Sequence, residues 1–284
     1  MMKTYYMLTK PGIILGNAVT TAGGFALASR GHIDILLFLI TLIGLCLIIA
    51  SAGVFNNYID RYADAKMDRT KNRALVTGLI SSSNALIFAT ALGIAGALIL
   101  GIYTNLLTVA VALAGFFIYL VLYAIMKYRS FYGTLVGSLA GGIPPIVGYC
   151  AVSDRLDTGA FIIFMILVLW QMPHFFAIAI YRMDDYAAAS IPVLPVEKGT
   201  RVTKIHMFFY IIAFIGTAVM LTTTGYMGVM YGIIATALGL VWLGLCAKGF
   251  YVEQKNDKTW AYGMFMYSLV VIMAICAVIP FDVK

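Results

Sequence analysis

Asn56, Asp60 and Asp64 recur at every fourth position, where a long apolar run turns polar. On a helix that spacing lines a single stripe, drifting only about 40° per step. Residues 35–59 carry no charge, and eight charges then fall within the fourteen residues 60–73. Two acids four residues apart repel by roughly a few tenths of a kcal/mol, and a divalent cation between them reverses that sign. Carboxylate and amide oxygens suit Mg²⁺, which keeps several waters and fills its shell with a substrate's phosphate oxygens. Asn57 stands beside the stripe, and Arg69, Lys71 and Arg73 follow it closely. A metal-holding stripe beside a cationic set fits a diphosphate. The competing reading, a charged loop that is merely solvated, does not account for the fourfold spacing or the asparagine pair.

The elements that carry this stripe are membrane helices. Mean hydropathy is +0.96, with 62% hydrophobic and only 11% charged residues, outside the range of soluble globular domains. A bilayer core takes roughly 20 apolar residues per helix. Charge-free runs cover 11–29, 35–59, 74–126, 130–153, 158–181, 205–247 and 259–281. Two of them are long enough for two helices each, with breaks expected near 103–105 and 222–225. The reading is an all-α, polytopic membrane protein: nine transmembrane helices around an intramembrane cavity, as one domain over residues 1–284. Backbone satisfaction in lipid leaves little room for another architecture.

With the N-terminus inside, sixteen of the nineteen Lys and Arg residues fall in cytoplasmic segments. Only Arg30, Arg155 and Lys284 fall outside. The inside-positive rule then places the N-terminus in the cytoplasm and the C-terminus outside. The net charge of +7 is therefore a topology signal, and no nucleic-acid partner is expected. Ala26-Leu27-Ala28 resembles a signal-peptidase site, but its apolar stretch is longer than a signal core, so the segment is expected to be retained. Cys46, Cys150, Cys246 and Cys276 lie in spans at no metal-ligand spacing and read as small apolar residues.

A second charged loop, 182–204, follows the sixth span as 60–73 follows the second, a hint of an internal four-helix repeat. Asp184 and Asp185 open it, pointing about 100° apart on a helix, so that only one of them is expected to face the same ligand directly. Arg182, Lys198 and Arg201 could supply cations for phosphate oxygens. In the fifth span Gly133, Gly137 and Gly141 form a small-residue stripe ahead of Pro144-Pro145. That pattern serves either close helix packing or the wall of a cavity. His174 sits inside a span next to Pro173. It either satisfies a carbonyl freed by that proline or orients a polar or metal-bearing substrate, with haem iron as one option. His32 and His206 have no comparable context.

Several blocks together resemble the UbiA superfamily of intramembrane prenyltransferases, and within it the protohaem IX farnesyltransferase branch. They are Thr9-Lys10-Pro11-Gly12-Ile13, Asn56-Asn57-Tyr58-Ile59-Asp60-Arg61, Met67 through Arg73, Tyr132-Gly133-Thr134 with Pro144-Pro145, Trp170 through His174, and Asp185-Tyr186 with Ile191 through Pro195. Members acting on quinone precursors usually carry a second pair of acids four residues apart. Here Tyr181 and Ala189 stand at those positions, as in the haem branch. The resemblance implies transfer of farnesyl from farnesyl diphosphate to a vinyl group of haem B, with water added to give a hydroxyethylfarnesyl side chain. It implies Mg²⁺ on Asp60, Asp64 and Asn56, catalytic roles for Asp60, Asp64 and Asp185, and substrate contacts at Asn56, Asn57, Arg69, Lys71, Arg73, Arg182, His174 and Tyr181. Tyr58, Tyr62, Tyr181 and Tyr186 are the aromatic faces expected near the allylic cation, and Lys127 and Arg129 the cations expected near the haem propionates. The setting implied is a bacterial-type inner membrane, with hand-off of product to terminal oxidase assembly or a haem A-forming enzyme. The alternatives are a quinone-precursor prenyltransferase and a nine-helix transporter. A transporter would place its charges near the bilayer midplane, whereas these acids all sit at helix ends.

Overall fold

The computed structural model describes all residues, 1–284, and contains nine helices long and apolar enough to cross a membrane. A short N-terminal helix α1 (Met2–Leu8) precedes α2 (Pro11–Ser29), α3 (Ile35–Asp64) and α4 (Ser82–Tyr103). The fourth span begins as α5 (Leu106–Phe117), passes through a π-helical stretch (Ile118–Tyr123) and ends as α6 (Ala124–Lys127). The fifth is divided into α7 (Gly133–Gly141) and α8 (Ile143–Ser153). Then come α9 (Thr158–Tyr181), the short α10 (Met183–Ala188), α11 (Leu194–Thr223), α12 (Val229–Lys248) and α13 (Asp257–Asp282). The two breaks expected inside the long apolar runs fall at 104–105 and 224–228.

Polar residues at the helix starts explain where the spans begin. Asp34 accepts from Leu37 N at 3.0 Å, Ser81 from Asn84 N at 3.2 Å, Asn105 from Thr108 N at 2.8 Å, and Asp157 from Gly159 N at 2.9 Å. Each satisfies an N–H that the first helical turn leaves without a partner. The fifth span divides at Gly142 because Pro144 and Pro145 bring no N–H, so the carbonyls of Ala140 and Gly141 receive no i+4 bond.

The centre of the molecule is α9, with 16 of its 24 residues buried. Its apolar surface runs all the way round, as expected of a helix enclosed by others. α2, α7, α8, α11 and α13 all pack against it, and α12 closes the bundle against α11 and α13. On the other side α3 lies along α4, and α2 along α8. This last pair meets backbone to backbone. A Cβ on Gly24 would stand 1.9 Å from the Pro145 carbonyl oxygen, and one on Gly148 would stand 2.1 Å from the Thr21 carbonyl oxygen. Only glycine allows that approach. Gly148→Val should therefore cost about 1–3 kcal/mol or more, read as a lower thermal midpoint in detergent. Gly244→Ala, at an open helical position, is the control, and equal midpoints for the two would remove the close-approach argument.

Candidate active site

The C-terminal end of α3 buries four polar residues. Asn56, Asn57, Asp60 and Asp64 are only 3%, 3%, 4% and 2% exposed. Each is held by a group from elsewhere in the chain. Lys10, in a left-handed turn between α1 and α2, donates to Asn56 Oδ1. Asn57 Nδ2 donates to the Leu8 carbonyl at 2.8 Å. Lys127 Nζ lies 2.6 Å from one Asp60 carboxylate oxygen, and the Tyr128 hydroxyl donates to the other at 2.6 Å. Arg73 Nη1 donates to Asp64 Oδ2 at 2.6 Å. The turn that brings Arg73 back is pinned where Thr70, itself buried, donates to the Asp64 carbonyl at 3.0 Å.

Three cations thus surround two carboxylates at one helix end. Burial, followed by the nearby Arg73, pulls the Lys10 ammonium down to about 7, because both penalise its charged form. The Tyr128 phenol is pushed well above its ordinary range by burial and by its bond to the Asp60 carboxylate. The fourth span supplies two more phenols. Tyr119 and Tyr123 stack with ring centroids 5.4 Å apart, and Lys127 Nζ lies 5.8 Å from the Tyr123 ring. Both tyrosines stand in the π-helical stretch, whose widened turn shifts side chains out of the α-helical register.

The two charged loops meet. Met67, Ala189 and Ile191 form a small buried cluster, with Ala63, Tyr186 and Val193 packed against it. The Tyr186 phenol is raised by burial first and then by Tyr123, while Arg69 and Lys127 act the other way. The start of the second loop therefore lies over the first acidic stripe. Asp185 is half-buried there, and Asp184 pairs instead with Lys258. Arg182 lies over the Tyr181 ring, 4.4 Å from its centroid, and Tyr181 packs against Tyr262. Arg69 is exposed at the rim of the first loop.

Other expected residues sit apart. Lys71 is exposed and paired with Asp68 at 2.7 Å. Tyr62 is 72% exposed, and with Tyr58 it flanks Arg61. Lys127, expected near propionates, is on Asp60; Arg129 is exposed. His174 does not bond the carbonyl freed by Pro173. Its Nδ1 is 2.7 Å from Ser268 Oγ on α13, and its ring stacks on Trp170, whose Nε1 donates to the Ser268 carbonyl at 2.8 Å. Lys10, Tyr128, Tyr119 and Tyr123 were not expected at the site from the sequence, and Lys127 was expected at a different place in it. The one available signal was the nearness of Lys127 and Tyr128 to the end of an uncharged span.

The donor set is suited to a hard cation. Two carboxylates and two amides are buried within nine residues of one helix end with no thiol or imidazole among them, and Asn57 Oδ1 is buried without a hydrogen-bond partner. No group of three or more His, Cys, Asp or Glu side chains gathers anywhere in the chain. A metal here would take Asp60, Asp64 and Asn56 and complete its shell with water and phosphate oxygens, the habit of Mg²⁺.

Several known proteins share this arrangement of helices. A chain from work on digeranylgeranylglyceryl phosphate synthase superposes with a TM-score of 0.80 at 17% identity, covering 99% of each chain. A UbiA homolog from Archaeoglobus fulgidus, bound to GPP and Mg²⁺, superposes with a TM-score of 0.73 at 14% identity over 95% of this chain and 99% of that one. In sequence, the protoheme IX farnesyltransferase of Protochlamydia amoebophila is 53% identical over 99% of both chains. That of Sodalis glossinidius is 52% identical over 99% of this chain and 95% of the other. Residues 17–269 match the UbiA prenyltransferase family. With the bundle, the paired acids at a helix end and these full-length relatives in agreement, the chain belongs to the UbiA prenyltransferase family.

Proposed function

We propose that this protein is a protohaem IX farnesyltransferase, joining the farnesyl group of farnesyl diphosphate to a vinyl group of haem B to make haem O. The observation that carries this reading is the buried stripe Asn56–Asp60–Asp64, ringed by Lys10, Arg73 and Lys127 inside the fold. Full-length relatives at 50% identity and above bear that activity as their name. A quinone-ring acceptor fits less well, since the second loop has a single half-buried acid, Asp185, at the site.

Ionising an allylic diphosphate leaves negative charge on the leaving group and positive charge on the farnesyl carbon. Arg73 and Lys127 are placed to share the first, with Lys10, Arg69 and Arg182 around them, and preorganised cations in a dry site stabilise it strongly. Lys71, facing away with Asp68, would have to turn to join them. Mg²⁺, when bound by Asp60, Asp64 and Asn56, would add Lewis-acid neutralisation of the diphosphate. The stacked faces of Tyr119 and Tyr123, with Tyr186 close to Tyr123, suit the allylic cation, and Tyr181, packed on Tyr262, would have to turn to join them. Deeper in the membrane, His174 marks where the haem lies. The protein sits in a bacterial-type inner membrane, N-terminus in the cytoplasm and C-terminus outside, and passes its product to oxidase assembly or a haem A-forming enzyme.

The test is chromatography of haem extracts from membranes carrying the protein, with and without farnesyl diphosphate. Haem O should form only with the diphosphate present. Excess chelator should stop its formation and Mg²⁺ restore it, since the donors are hard oxygens. Turnover unchanged in chelator would mean that the carboxylates act only through their cations.

A further inference from the structure

Making haem O consumes a water, and an apolar membrane cavity must hold that water in place. We propose that Gln171 and His174 hold it, with His174 Nε2 as the base that takes its proton, an inference that rests on the farnesyltransferase reading above.

The His174 tautomer is taken from its partner on α13. Ser268 has one hydroxyl hydrogen, and it is donated to the Phe265 carbonyl at 2.5 Å. With the hydroxyl hydrogen on that carbonyl, the 2.7 Å contact between Ser268 Oγ and His174 Nδ1 is an N–H donated by the imidazole. A neutral ring with its proton on Nδ1 has a free lone pair on Nε2. Nε2 makes no hydrogen bond within the protein. Buried polar side-chain atoms lacking a partner are confined to Asn57, Tyr231 and Trp242, so the Nε2 edge opens onto accessible space. Stacking on Trp170 and packing against Phe265 fix the ring plane.

Gln171 is three residues earlier, hence on the same face of α9. It is 5% exposed, its amide has no hydrogen-bond partner, and it too is outside that orphaned set. An amide inside a span is expensive unless it meets something polar. The small-residue stripe leads from it to the acids. A Cβ on Gly141 would stand 2.2 Å from Gln171 Oε1, one on Gly137 3.1 Å from the Tyr123 ring, and one on Gly133 2.8 Å from Lys127 Cα. Lys127 in turn holds Asp60. Helical rise puts His174 roughly 10 Å from the cytoplasmic end of α9, and Asp60 roughly 6 Å from that of α3. His174 is thus about one turn deeper than the diphosphate site and Gln171 close to two, where the haem carbon next to the new bond would lie.

The chemistry balances as follows. The bond from farnesyl C1 to the diphosphate oxygen breaks, and its electron pair leaves with diphosphate. The terminal vinyl carbon of haem B forms the new C–C bond, so the vinyl carbon next to the ring becomes cationic. Water oxygen bonds to that carbon, and one of its protons passes to Nε2. Without a held water, the same cation loses a proton from the neighbouring carbon and becomes an alkene, lighter than haem O by one water.

The experiment is mass spectrometry of the haem products of Gln171→Leu, His174→Phe, Ser268→Ala and Ser268→Thr, alongside the absorption spectrum of bound haem. The ratio of hydroxylated to alkene product does not depend on how much protein folds. It should fall by about tenfold or more in Gln171→Leu and His174→Phe, fall in Ser268→Ala, and recover in Ser268→Thr. Total loss of product in His174→Phe would leave the ratio in Gln171→Leu and Ser268→Ala to decide. Fully hydroxylated product in those variants overturns the inference while leaving the farnesyltransferase intact. An altered haem spectrum in His174→Phe with hydroxylation retained places Nε2 on the iron and overturns it too. Absence of any farnesylated haem from the unaltered protein would instead defeat the underlying reading.

Discussion

Asp60→Asn should lower farnesyl transfer by at least about a hundredfold, the scale of losing a preorganised charge at a site of this kind, and Asp64→Asn should do the same. Asparagine is the informative replacement. The Asp60 carboxylate holds Lys127 and Tyr128 at once, and both Asp60 and Asp64 are almost fully buried. Alanine would strand a half-buried ammonium or guanidinium as well as remove a metal ligand, mixing a folding cost with the chemical one. The amide keeps the shape and an oxygen for Tyr128, but loses the charge that a cation needs. The measurement is haem O formed per unit of folded protein, with the two quantities determined separately. Near-normal turnover in both variants would show that the stripe neither holds metal nor neutralises the site.

How far this site could be read from the sequence depends on the range of each interaction. The acids were legible because their partners in the pattern are four residues away, within one helix. The nine spans were legible because bilayer thickness and backbone satisfaction fix their length and leave helix as the one solution. The groups that occupy those acids were not. Lys10 reaches Asn56 across 46 residues, Lys127 reaches Asp60 across 67, and Tyr128 reaches it across 68. Nothing local distinguishes Lys127 from an ordinary inside-positive anchor until α6 is placed beside α3. Tyr119 and Tyr123 read as two more aromatics in an apolar run, since no residue type announces a π-helical stretch.

His174 was identifiable as a polar residue at membrane depth, and its neighbouring proline suggested a local bond to the freed carbonyl. The structure gives its Nδ1 a different partner, Ser268, 94 residues away. A lone serine in a 26-residue apolar helix carries no signal of its own. Ser268 becomes meaningful only once α13 is packed on α9, where its carbonyl accepts from Trp170 and its hydroxyl meets His174. Spacing thus reveals which residues share a face. Which faces meet is settled by packing, and the partners of the buried polar groups follow from that.

Lys204→Met should be the most destabilising single change outside the site, at about 3–5 kcal/mol. Counted by sequence among the cytoplasmic cations, Lys204 is in fact buried within the bundle. Its Nζ donates to Asp257 Oδ1 at 2.5 Å and to the Gly249 carbonyl at 2.7 Å, and lies 5.0 Å from the Trp260 ring. Both side chains of the ion pair are only 6% exposed. This one ammonium ties α11 to the end of α12 and the start of α13, on whose first turn Asp257 also favours the helix dipole. Removing it leaves an unpaired carboxylate where water hardly reaches. Lys204→Met with Asp257→Leu removes both charges, and replacing a whole buried pair by apolar groups is often neutral. Most of the loss should therefore be recovered in the double variant. The measurement is the thermal or denaturant midpoint of purified protein in detergent for the two single variants and the pair. A Lys204→Met midpoint equal to that of the unaltered protein would mean that the pair contributes nothing to holding the last three spans together. A double variant as unstable as Lys204→Met would place the cost in lost packing on Trp260 instead of in the stranded charge.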